Sequence, residues 1–206
     1  MASTPSAQRR IGLTGGIASG KSSVGRWLAA QGIPVLDADV YAREALAPGS
    51  AGAIAVAERY GTGVLAPGHE GEPVTIDRAA LGRIVFNNPA ERQWLEGLVH
   101  PLVRERFQQE LEHLADVPVV VLMIPLLFEA GLESLCSETW LVVCSEAQQL
   151  ERLMARDGLS EVDALARIRA QWPLSRKREL AGLVINNGQQ RKAWTETVRE
   201  ALLQQS

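Results

Sequence analysis

Apolar stretches alternate with amphipathic ones along most of this chain. The run around Ile11 and Leu13 predicts a first strand over 9–14, and helical periodicity follows over 22–31 until Gly32 and Pro34 stop it. Residues 33–36 predict a short second strand that ends at Asp37-Ala38-Asp39. From 42 to 114 the pattern is helical, broken by Gly/Pro-rich loops at 48–52 and 61–73, the second read as mobile surface. Asp77 predicts the N-cap of a helix over 78–86, and Pro89 the start of the next. The unbroken apolar run 117–124 suits a central strand buried on both faces, and 139–144 another strand. Helices are predicted over 147–156 and from a capping box at Ser160 to Gln171, where Pro173 intervenes. A last strand over 183–185 precedes a helix over 193–203. This alternation predicts an α/β fold with a parallel sheet, and the helical region between strands reads as a cap over the sheet's C-terminal edge, with a substrate pocket beneath it.

The segment Gly15-Gly16-Ile17-Ala18-Ser19-Gly20-Lys21-Ser22 is a complete G-x-x-x-x-G-K-[ST] phosphate-binding loop at a predicted strand-to-helix junction. It predicts a bound nucleoside triphosphate. Gly15 and Gly20 permit positive-φ turns, so that backbone N–H groups converge on phosphate oxygens at a helix N-terminus. Lys21 supplies a mobile charge for the β- and γ-phosphates, and Ser22 a hydroxyl ligand for Mg²⁺.

Composition narrows the class. The chain has 206 residues, 46% of them apolar, and no run approaches the ~20 apolar residues that span a bilayer. Its polar start lacks an apolar h-region and reads as a frayed terminus rather than a signal peptide. Cys136 and Cys144 form no C-x-x-C pair and suit a reducing cytoplasm as buried apolar residues. A net charge of −3 argues against a general nucleic-acid binder. All but three of the 21 cationic residues are arginine, which suits bidentate phosphate recognition and equally reflects GC-rich coding.

Other clusters admit two readings each. Asp37 and Asp39, beyond a strand end, are placed to accept a hydroxyl proton or to hold Mg²⁺ through water; the alternative is a helix cap. Arg43 lies one helical turn after Asp39, for substrate phosphate or for pairing with that acid. His100-Pro101-Leu102-Val103-Arg104 puts His100 and Arg104 a turn apart, for substrate or for structure. His69 and His113 lack partners at metal-ligand spacing, which argues against zinc. Pro125-Leu126-Leu127-Phe128-Glu129 is either a pocket wall with one carboxylate or ordinary core. Arg152, Arg156, Arg167, Arg169, Arg176 and Lys177 form a lid closing on phosphates or a solvated basic face.

In this order the segments resemble the dephospho-coenzyme A kinase family: Leu13 to Ser22, Asp37-Ala38-Asp39 with Arg43, His100 to Arg104, Pro125 to Glu129, then Arg152 and Arg156 leading to Gln171. The resemblance runs from Ile11 to about Gly188. It implies a three-layer α/β/α P-loop kinase with a parallel sheet, a helical substrate-binding insertion and a small helical lid. The expected single domain spans 9–206 after a disordered terminus at 1–8. Its core is about 9–40, 115–148 and 180–206, its coenzyme A-binding region about 41–114 and its lid about 149–179. The implied activity is transfer of the ATP γ-phosphoryl to the ribose 3′-hydroxyl of dephospho-coenzyme A. By that likeness Asp39, Lys21 and Arg156 are catalytic, and the loop from Gly15 to Ser22 binds ATP with Arg152 and Asn187. Arg43, His100, Arg104, Leu127 and Phe128 join Asp39 in binding the acceptor, and Ser22 and Asp37 serve Mg²⁺. The expected partners are ATP and dephospho-coenzyme A, with neither nucleic acid nor membrane; oligomeric state is left open.

Two departures from the family pattern stand out. Met123 replaces an Asp often found before the Pro-Leu-Leu-Phe-Glu segment, and Ala181-Gly182-Leu183-Val184-Ile185-Asn186-Asn187 lacks both acids of the usual Ala-Asp-x-Val-Ile-Asp-Asn. Alternative functions are another small-molecule kinase, such as a nucleoside monophosphate kinase, or a nucleotide switch protein. The switch would need a guanine-reading N-K-x-D, and no such tetrapeptide occurs.

Overall fold

The computed structural model describes residues 8–67, 71–188 and 191–204. Its strands are β1 (Arg9–Gly15), β2 (Val35–Asp37), β3 (Val119–Met123), β4 (Glu138–Val143) and β5 (Leu183–Asn186). They form one all-parallel sheet in the order β2-β3-β1-β4-β5. The central strand is therefore β1, not the apolar run over 117–124, whose strand β3 lies beside it. Helices α1 (Lys21–Ala30), α2 (Ala38–Ala45), α3 (Ala51–Tyr60), α4 (Arg78–Asn87) and α5 (Pro89–His113) precede β3. α6 (Glu146–Asp157), α7 (Glu161–Arg169) and α8 (Leu174–Leu180) separate β4 from β5, and α9 (Arg191–Leu203) follows. The expectation had no α8, because Pro173 read as a stop; proline is equally suited to open a helix.

The chain forms two compact units that divide after Asp37 and after His113, so Ala38–His113 is one unit and the sheet belongs to the other. In the sheet unit, Ile11, Leu13, Val121, Met123, Trp140, Val142 and Ile185 pack against Val24 and Leu28 of α1 and Trp194 and Val198 of α9. Each large side chain so buried contributes about 1.5–3 kcal/mol. On the opposite face Gly12 makes room for Leu127 and Cys136, since a Cβ there would lie 2.7 Å from Cys136 Sγ. Burial pushes the Cys136 thiol up to about 12 and the Cys144 thiol up as well, which favours the uncharged thiol in both.

The helical unit has its own core of Ala53, Val56, Val64, Ile76 and Leu81. Ser50 caps α3 by accepting from Ala53 N–H, and Asp77 caps α4 by accepting from Ala79 and Ala80, as its sequence position predicts. Arg59 grips Glu91 at 2.7 and 3.0 Å, and Tyr60 OH donates to the same carboxylate at 2.6 Å. These bonds hold the Glu91 carboxyl down at about 2. A reciprocal capping box forms at Ser145 and Gln148, whereas at Ser160 only the backbone N–H of Asp163 is capped.

Of the terminus expected to be disordered, 1–7 lie outside the described residues. Gln8 is held: its Nε2 donates to the carbonyls of Leu114 at 2.6 Å and Val117 at 3.1 Å. His69, with 68–70 of the loop read as mobile, also lies outside them. Among the described residues, no helix is long and apolar enough to cross a membrane.

Candidate active site

The phosphate loop leaves the C-terminal end of β1 and enters α1, where parallel sheets place their ligands. Gly20 is the N-cap of α1 in the left-handed region, φ +91°, where a side chain would be strained. A Cβ there would also fall 1.9 Å from Asn187 Nδ2. Gly15 does not take the positive φ expected of it. It is glycine for space, since a Cβ would meet Ser19 Oγ at 2.5 Å and Val142 O at 2.8 Å. The other positive φ in the loop belongs to Ala18, at +57°.

Three side-chain amides from distant segments hold this backbone. Asn187 Nδ2 donates to Ser19 O at 2.8 Å, Gln149 Nε2 donates to Ile17 O at 2.7 Å, and Gln171 Oε1 accepts from Ile17 N–H at 2.8 Å. Asn187 was a sequence candidate for ATP. Gln149 was missed, although it sits one turn before fully buried Leu153 on α6, and a polar residue on an apolar stripe is a readable signal.

Lys21 and exposed Ser22 occupy the first turn of α1. Asp37 closes β2 in register with Met123, and Asp39 stands exposed in the first turn of α2. Met123 itself is 8% exposed and points into the core, where its sulfur would lie 2.8 Å from a Cβ on Gly25 of α1. The departure from the family pattern thus fills space beneath the helix. In the helical unit, Arg43 is exposed on α2, and His100 and Arg104 are exposed one turn apart on α5. Leu127 and Phe128 are buried behind Pro125, whose carbonyl accepts from Thr14 Oγ1 at 3.0 Å.

The basic stretch divides. Arg152 donates to Asn187 O at 3.1 Å, while Arg156 and Arg167 both engage Asp157, at 2.7 and 3.2 Å. Hydrogen bonding from Arg156 holds the Asp157 carboxyl below the usual carboxylate range. Lys177 belongs to neither a lid surface nor a solvated face: it is fully buried and pairs with Glu129. Arg152 and Asn187 also line a cavity of about 550 Å³ with Ser23, Arg26, Trp27 and Trp194.

Among the described residues there is no cluster of three or more His, Cys, Asp or Glu side chains able to hold a metal. Ser22 and Asp37 are hard oxygen donors, which suits Mg²⁺ that keeps waters and takes its remaining ligands from phosphate.

The sequence profile of the dephospho-CoA kinase family matches residues 9–192. The chain is 67% identical to a dephospho-CoA kinase of Synechococcus sp. strain CC9605 over 96% of its own length and 94% of the relative's. Its fold superposes with a TM-score of 0.82 on a crystal structure from Thermus thermophilus, at 36% identity, covering 98% of this chain and all of that one. It superposes at 0.69 on a dephospho-CoA kinase from Campylobacter jejuni, at 25% identity and 94% coverage of both chains. With the phosphate loop at the end of its central strand and this likeness along nearly its whole length, the chain belongs to the dephospho-CoA kinase family.

Proposed function

We propose that this protein transfers the γ-phosphoryl group of ATP to the ribose 3′-hydroxyl of dephospho-coenzyme A, giving coenzyme A and ADP, the final step of coenzyme A synthesis. The observation that carries this reading is the loop 15–22, opening α1 on left-handed Gly20, in a chain of this family. The loop's N–H groups and the N-terminal dipole of α1 hold the phosphates, and Lys21 offsets charge that builds on the transferring group. The adenosine end of ATP is assigned to the cavity beside Ser23, Trp27, Arg152 and Asn187. Ser22 and Asp37 would hold Mg²⁺, which would offset negative charge on the ATP phosphates.

Asp39 accepts or orients the proton of the acceptor hydroxyl. Arg43, His100 and Arg104, all exposed, bind the acceptor's anionic groups, and family likeness adds Leu127 and Phe128 to acceptor binding. Arg156, which shares Asp157 with Arg167, exchanges that carboxylate for transferring phosphate.

An acceptor screen with Mg·ATP tests the proposal. Dephospho-coenzyme A should turn over far faster than adenosine, AMP or gluconate; preference for a nucleoside monophosphate would overturn it. Lys21→Ala should lower kcat/KM by about 10²–10³, the scale of one lost transition-state charge contact.

A further inference from the structure

Ile17 is held at both of its backbone polar groups by side chains remote in sequence. Its N–H donates to Gln171 Oε1 at 2.8 Å, and its carbonyl accepts from Gln149 Nε2 at 2.7 Å. An N–H can only donate and a carbonyl can only accept, so these partners fix which end of each amide faces the loop. Gln149 is 3% exposed on α6, where burial without a hydrogen bond would cost stability. Gln171 lies between α7 and α8, in the segment that Glu129 also fastens by accepting from Trp172 N–H at 3.2 Å.

The carbonyl that Gln149 holds belongs to the Ile17–Ala18 peptide. That peptide is trans, so its N–H points opposite to its C=O. Gln149 therefore turns the Ala18 N–H away from α6, and Ala18 sits at φ +57°, a conformation that persists only where surroundings impose it. Among the described residues, the Ala18 N–H meets no hydrogen-bond acceptor.

We infer that Gln149 and Gln171 are positioning residues: they clamp Ile17 so that the Ala18 N–H is presented, before any nucleotide arrives, as a donor for an ATP phosphate. The inference rests on the reading of 15–22 as the ATP loop. It assigns the two glutamines opposite polarities, since position 171 must accept and position 149 must donate.

Amide exchange of Ile17 in the nucleotide-free protein, followed by NMR, reads the clamp directly. Gln171→Leu should speed exchange about tenfold or more, the scale of one lost hydrogen bond, while Gln171→Glu keeps an acceptor and should stay near the parent rate. Gln149→Met preserves the shape but removes the donor, and should raise the KM for ATP about tenfold with the KM for dephospho-coenzyme A within about twofold. If Gln149→Met does not fold, the same kinetic split in Gln171→Leu decides. Lower melting temperatures with both KM values and Ile17 exchange unchanged would overturn the clamp. Lys21→Ala, run in parallel, separates the failures: if it leaves turnover intact, the loop reading fails; if it abolishes turnover while the glutamine variants are silent, the clamp alone fails.

Discussion

Lys177, fully buried in α8, places its Nζ 2.6 Å from Oε1 of Glu129, the same oxygen that accepts the Trp172 N–H. The contact is ionic, with angles outside those of a good hydrogen bond, and Glu129 Oε2 is buried with no hydrogen-bond partner. Such a pair contributes little net stability over apolar packing, but removing one member strands the other's charge, at about 3–5 kcal/mol. Lys177→Met should therefore lower the urea midpoint sharply, and adding Glu129→Gln should recover most of the loss. Equal midpoints for the single and double variants would mean that the two residues are not coupled.

Asp39→Asn should lower kcat by roughly 10²-fold or more, since general-base and orienting effects are worth about 10²–10⁴. ATP affinity should stay within a few-fold. Thermal melting run beside steady-state kinetics separates this from a capping role, which would lower stability and leave the turnover of folded enzyme unchanged.

Ser22→Ala should raise the Mg²⁺ concentration needed for half-maximal rate strongly, because a hydroxyl ligand is lost. Met123→Ala should leave that concentration unchanged and cost about 2–5 kcal/mol of stability, since Met123 is core packing against α1. Mg²⁺ titrations of both variants, with denaturation curves, check the pair of expectations.

Glu91 gives a pH dependence with a defined sign. Its folded-state carboxyl lies at about 2 against an ordinary 4.5, because Arg59 and Tyr60 hydrogen-bond the charged form. The stability it supplies is complete above 4.5 and disappears as pH falls from there to about 2. Glu91→Gln should accordingly be less stable than the parent at pH 7, with the difference shrinking toward zero by pH 2. Melting curves at intervals across that range are the measurement.

Local chemistry in this chain was legible, and long-range packing was not. The phosphate loop, the cap at Asp77 and each strand's approximate position depend on a few neighbouring residues, and those patterns stand on the page, whereas Ser50, inside a predicted loop, was not read as a cap. Lys177 illustrates the limit: beside other cations it reads as surface, and only the fold brings Glu129 to it. Gln171 ended a predicted helix, with nothing nearby to indicate that its side chain reaches Ile17. Gly15 taught the opposite lesson, since its residue type was understood and its reason was not: crowding by Ser19 and Val142, rather than φ, excludes a side chain.

The sheet order has a consequence for biosynthesis. β1 and β2 are made first, yet each pairs with β3, which lies between them and is separated from β2 in sequence by the whole helical unit. A nascent chain emerging N-terminal end first therefore carries two strands whose shared partner has not been translated. During that interval Ala38–His113 emerges with its own apolar cluster around Ala53, Val56 and Leu81. The ribosome thus delivers the helical unit as the first segment able to bury its own core, and the catalytic sheet closes only after Val119–Met123 is free to slot between strands synthesised long before it.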